Sequence, residues 1–333
     1  MKIHILALLL FVQFSFALDQ ALELPQAFPL PDSGQKLHRN KSRVANIIFK
    51  STDGGQTWQD MSEGLPENEQ ADGFVEKDSE LYIRVGNGIY HSRPNSTTPF
   101  WKKEIFPGKH SWIAPSKAGI FAYNYSDGRF LQKINGMSIW SPIYMNFHEK
   151  QVSTVFETAL GTVFISSGNG LFKSTNSGIT WKQVLKGSSV NKMIEANGVL
   201  LATSQKGILR STDDGENWNC VINEGGVGIA VEHIKGGFAA ITYNTESKTR
   251  RVRISYDGGT IWQPIDAGLP ASLLISSIIE VGEYFFCGHP IGIFKSSDKG
   301  KTWKLLLPSI ENKVFNLFVS GNLIYAIPRE GGC

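Results

Sequence analysis

A few side chains in this sequence have the types needed to hold a ligand: Lys109, His110 and Trp112 close together, Asn146 near His148, Glu232 beside His233, and the separate Lys206 and His289. An indole beside polar groups can stack on the face of a sugar, and it can equally be a packing residue. Two further sets recur along the chain. Glu76, Glu157, Glu195 and Glu280 occupy one repeated place, and Lys50, Lys173, Arg210 and Lys295 another. A carboxylate ring could bind a cation, but repetition favours charge pairs or turn residues within each repeat. Cys220, Cys287 and Cys333 show no CxxC spacing and no zinc-type histidine spacing, so no metal and no cofactor are expected.

The elements that must position these residues are marked by five copies of one pattern, Ser-x-Asp-x-Gly-x-Thr-Trp. The copies are STDGGQTW from Ser51, STNSGITW from Ser174, STDDGENW from Ser211, SYDGGTIW from Ser255 and SSDKGKTW from Ser296. Asn176 replaces the Asp once, and Asn217 and Ile261 replace the Thr. Trp58, Trp101, Trp140, Trp181, Trp218, Trp262 and Trp303 recur about every 41 residues, the interval of a four-stranded propeller blade. That period exposes two decayed copies, one after Ser92 and one in which Asn135 precedes Trp140.

Between copies the sequence alternates apolar and polar residues with β-branched and aromatic enrichment, broken by Asn87-Gly88, Asn169-Gly170, Lys206-Gly207 and Ile291-Gly292. Each unit therefore reads as four strands. The fold expected is an all-β, seven-bladed β-propeller over residues 45–333. One strand precedes the first copy and two follow the last, so C-terminal strands should complete the first blade and close the ring.

The eight-residue copies resemble the Asp-box, or bacterial neuraminidase repeat, of the sialidase superfamily. The resemblance places the boxes on outer hairpins between third and fourth strands. Asp53, Asn176, Asp213, Asp257 and Asp298 then bind backbone N–H groups of their own turns, and Trp58, Trp181, Trp218, Trp262 and Trp303 pack into the blades, so the boxes are structural. Sialidases carry an Arg-Ile-Pro motif that this chain lacks, and their fold has six blades. Glu280 with Tyr284, or Glu232 with Tyr243, has the types of a nucleophile pair without supporting spacing. Xyloglucan-cleaving relatives use two propellers, and this chain has repeats for one. In size and blade number the chain is more similar to photosystem II assembly propellers, which bind proteins.

Residues 1–17 read as a signal peptide: Lys2, an apolar run from Ile3 to Phe16, and small residues at Ser15 and Ala17. Residues 18–44, with Pro25, Pro29 and Pro31, read as an extended arm. A secreted or periplasmic monomer follows, without stable membrane insertion after cleavage. A net charge of +3 with no basic cluster argues against nucleic acid. The expected function is a non-catalytic binding module that recognises a protein or glycan on the face bearing the interblade links and second-to-third turns. The alternative is a glycoside hydrolase or lyase working in the central cavity.

Overall fold

The computed structural model describes residues 46–93, 101–105, 111–124, 128–137 and 139–331. Residues 1–17 and 18–44, read above as signal peptide and arm, lie outside the described residues, as do Lys109, His110 and Cys333. The described residues form seven four-stranded antiparallel sheets, numbered here from the first box.

Six blades run inward to outward in chain order. Blade two is Ala71–Lys77, Glu80–Val85, Gly88–Ser92 and Lys102–Lys103, and blade three is Ser111–Ser116, Gly119–Asn124, Phe130–Ile134 and Trp140–Ile143. Blade four is Thr154–Glu157, Val163–Ser167, Gly170–Ser174 and Lys182–Lys186, and blade five is Val190–Ala196, Val199–Ser204, Gly207–Ser211 and Asn219–Ile222. Blade six is Gly225–Ile234, Gly237–Asn244, Thr249–Ser255 and Gln263–Pro264, and blade seven is Ser277–Val281, Tyr284–His289, Gly292–Ser296 and Lys304–Pro308. Blade one is composite. Its inner strands, Val314–Ser320 and Leu323–Arg329, come from the C-terminus, and its outer strands, Phe49–Ser51 and Gln59–Asp60, from the start of the ring.

The second strand of each blade is sandwiched between neighbouring sheets. Val199–Ser204 and Gly119–Asn124 are buried throughout, and such strands read as continuous apolar runs instead of alternating ones. The packing continues across the closure, where Phe49 and Trp58 of blade one share a buried cluster with Ile279 and Phe286 of blade seven. Polar atoms seal the same seam. Ser277 Oγ donates to Phe315 O at 3.0 Å and accepts from Leu317 N at 3.0 Å.

Antiparallel order puts the first hairpin and the box of every blade at one end of the ring, and the second-to-third turns with the interblade links at the other. In the first box, Ser51 Oγ donates to Asp53 Oδ1 at 2.9 Å and accepts Gly55 N at 2.8 Å. Asp53 also accepts the N–H of Thr57 at 2.9 Å and its hydroxyl at 2.6 Å. The substituted copies keep this geometry by other means. Asn217 donates its amide to Asp213, Ile261 lends only its backbone N–H to both oxygens of Asp257, and Asn176 donates to Thr180 Oγ1 where an Asp would accept. The box glycine has positive φ in each intact copy, 84° at Gly55, a conformation costly for side-chain-bearing residues.

The indoles of Trp58, Trp181, Trp218 and Trp262 donate to their own box glycine carbonyls, each at 3.0 Å. Trp101 and Trp140, in the decayed boxes, and Trp303, in an intact one, reach back to the preceding blade instead, to Met61 O at 2.7 Å, Glu104 Oε2 at 2.9 Å and Ile265 O at 2.7 Å.

Candidate functional site

Three members of each recurrent charged set prove to be fasteners between blades, not pairs within them. Glu157 of blade four accepts the Lys117 N–H of blade three at 2.7 Å, and Glu195 of blade five accepts the Ala159 N–H of blade four at 2.8 Å. Glu280 of blade seven accepts the Lys235 N–H of blade six in the same way. The cations reach the other way round the ring. Lys173 of blade four meets Asp214 at 2.9 Å and Glu216 at 2.8 Å in the box of blade five. Arg210 donates to Gly258 O of blade six at 2.7 Å, and Lys295 to Gly54 O at 3.3 Å across the closure. The repetition follows, because these junctions present nearly the same gap.

Three of the single candidates are also committed. His289 is buried, with Nε2 3.0 Å from Pro270 O and Nδ1 accepting Ile291 N at 3.2 Å, so it fastens a turn and has no ring nitrogen left for a ligand. Burial holds its pKa below the ordinary imidazole value. Glu232 is ion-paired to Lys192 on the inner strand of blade five. Trp112 is half-buried against the blade three–four core, and the Arg84 guanidinium lies 4.2 Å from its ring centroid. The guanidinium covers one face of the ring.

Arg84 also pairs with Asp72, the residue displaced by a bulge in the inner strand of blade two. Bulges re-aim side chains next to functional sites. Asp72 Oδ1 is buried without a hydrogen-bond partner, and burial pushes its carboxyl above the ordinary range despite Arg84 and Arg329. Sequence reading passed over Asp72, since no local pattern announces a bulge. The structure brings Trp112 to this pair and keeps Glu232 and His233 at the other, box-bearing end of the inner strands.

His233 is exposed there and borders two cavities. One, of about 350 Å³, is lined with Lys235, Glu280 and Glu283, and the other, of about 200 Å³, with Asn197, Phe238 and Tyr256. Lys206 is exposed on a second-to-third turn, and His148 is exposed on the link into blade four. Asn146, on the same link, donates from its backbone to Gly178 O at 2.9 Å in the box of blade four. Cys220 and Cys287 are free thiols, and no group of His, Cys, Asp and Glu among the described residues is arranged to hold a metal.

The BNR/Asp-box repeat family model matches residues 49–60, the first box with the strands on either side. The chain carries Asp-box repeats on a seven-bladed β-propeller. A search of curated protein sequences found no match. Among solved structures, this Asp-box propeller is similar to the extracellular domain of a putative one component system, BT4673, from B. thetaiotaomicron, with 13% identity and a TM-score of 0.60. That match covers 76% of the chain but only 36% of the BT4673 domain. A catalytically inactive virginiamycin B lyase from Staphylococcus aureus with quinupristin is similar at 12% identity and TM-score 0.60, over 80% of this chain and 97% of the lyase. YCF48 bound to D1 peptide is similar at 14% identity and TM-score 0.54, over 86% of both chains. At these identities the likeness is one of fold. No helix among the described residues is long and apolar enough to cross a membrane.

Proposed function

We propose that this propeller is an exported, non-catalytic binding module that recognises a protein or glycan on the face bearing the interblade links and second-to-third turns. Residues 1–17 act as its signal peptide and 18–44 as an arm before the ring. The observation that carries the reading is an open surface on that face over blades five to seven. Leu273 on the link into blade seven is 52% exposed and Ile291 on a tight turn 38%, with Val227 and the free-standing cation of Lys206 on the same face. Exposed apolar side chains rimmed by a charge suit recognition. YCF48, a neighbour matched over 86% of both chains, is bound to D1 peptide in its solved structure.

The test is a glycan array and a peptide-library screen on the wild type and on Leu273→Asp/Ile291→Asp, run beside fluorogenic glycosides. The reading expects a ligand whose affinity falls at least about tenfold in the double variant, as loss of two buried apolar contacts implies. Turnover abolished by Glu232→Gln or Asp72→Asn would overturn it. The second reading, a glycoside hydrolase or lyase in the central cavity, is favoured by one feature, the Asp72 carboxyl, whose Oδ1 is buried without a hydrogen-bond partner and whose pKa is raised by burial.

A further inference from the structure

The glutamate fasteners close three junctions, and one of the junctions without them opens onto a recess. The position concerned lies in the last or next-to-last pair of each inner-strand ladder, at the end where the first hairpin turns. That position is Glu76, Glu157, Glu195 and Glu280 in blades two, four, five and seven. The same register position is Pro115 in blade three, Val319 in blade one and, in blade six, where it is paired with Phe238, His233.

The N–H that each bound glutamate accepts belongs to the first residue of the preceding hairpin turn: Lys117, Ala159 and Lys235. At the junction of blades five and six that residue is Asn197, in a turn with φ of 50° followed by Gly198 at 75°. Its N–H donates to no acceptor among the described residues. The space a glutamate would fill is a recess of about 200 Å³ bordered by Asn197, His233, Gly236, Phe238, Tyr256 and Gly258.

A second departure from the repeat falls on the same recess. The residue between Ser and Asp of the box is Thr52, Thr175, Thr212 and Ser297 in four copies, and Tyr256 in blade six. Its ring is 46% exposed at the recess wall. A Cβ placed on Gly258 would lie 3.7 Å from Arg210 Nη2, so a guanidinium borders the same space. A Cβ on Gly236 would meet nothing within 4 Å, which leaves that side of the recess open.

We propose that this recess binds a small sugar acid of the hexuronate type, whose carboxylate accepts the Asn197 N–H in the place held by a glutamate at three other junctions. The sugar ring lies against Tyr256, an aromatic face suited to its C–H groups. His233 and Arg210 supply the polar and positive border. The nearby carboxylates are already engaged, Glu195 by Ala159 N and Glu232 by Lys192. This site lies on the box-bearing face and is independent of the recognition surface proposed above.

The experiment is calorimetric titration of the full ring with sodium glucuronate and with glucose, which shares the ring but lacks the carboxylate. Glucuronate is expected to bind saturably and about tenfold or more tighter than glucose, the range of one charge-assisted hydrogen bond. His233→Glu restores the fastener, so it should abolish glucuronate binding without lowering the melting temperature. Tyr256→Thr, the residue of three other boxes, should weaken binding several-fold. Absence of glucuronate binding, equal binding of glucose, or undiminished binding to a folded His233→Glu variant overturns the proposal.

Discussion

Removing one oxygen atom at the closure tests whether the ring is sealed as described. In Ser277→Ala the Leu317 N–H loses its acceptor inside a buried seam, and Phe315 O keeps only its bond from Ser276 Oγ, at 2.7 Å. A buried donor left unsatisfied costs about 1–3 kcal/mol, and the lost bond to Phe315 adds about 1 kcal/mol, giving about 3 kcal/mol in all. Unfolding entropy near 2.1 cal/mol/K per residue is about 0.6 kcal/mol/K for a ring of this size, so the melting temperature should fall by about 5 °C. Differential scanning calorimetry measures this directly, with the exposed turn variant Ser247→Ala as a control expected to move by less than about 1 °C. A shift in Ser277→Ala no larger than the control's would refute the seam, and with it the argument that polar atoms as well as apolar packing join blade seven to blade one.

Acid should unfold the ring in part through its boxes. Hydrogen bonds from Thr302 and Ser296 hold Asp298 down at about 2, those from Ile261 and Ser255 lower Asp257, and His91, Lys133 and Trp140 hold the buried Glu104 at about 2. Depressed carboxylates stabilise the fold above their unfolded pKa near 4 and lose that contribution as pH falls towards about 2. Asp298→Asn, copying the natural Asn176 box, should flatten the fall of melting temperature between pH 4 and 2, and an unchanged slope would count against the box chemistry. Trp101→Ala should cost about 4 kcal/mol, because the side chain is 2% exposed and its indole is bonded, and should exceed Trp262→Ala even though the box before Trp101 has decayed. Of the two described thiols, exposed Cys220 should react with a thiol reagent in the native state; Cys287, whose pKa is pushed up by complete burial, should react only on unfolding.

How much was legible depends on the range of the interaction concerned. Box turns are settled within eight residues by Ser, Asp and Gly hydrogen bonding to their own backbone, so those residues are readable in order along the chain. Blade number follows from the tryptophan period, and closure from counting strands at the two ends. The repeated glutamates and lysines were visible as a pattern, but their partners lie in the neighbouring blade, about forty residues away, so their purpose was not. His289 shows the same limit. A histidine before a tight turn reads as a ligand candidate until the fold buries it against Pro270.

By itself, then, the sequence determined the all-β ring, its seven units and its composite first blade, because a short-range turn repeated at constant spacing allows few other arrangements. The tertiary structure alone decided which polar groups are occupied and which remain open. Junction fasteners, the cover over Trp112, the bulge that displaces Asp72, and the recess beside His233 all arise between chain segments distant in sequence. Register across a blade junction sets whether a side chain meets a carbonyl, a cation or solvent, and that register appears only once the ring has closed.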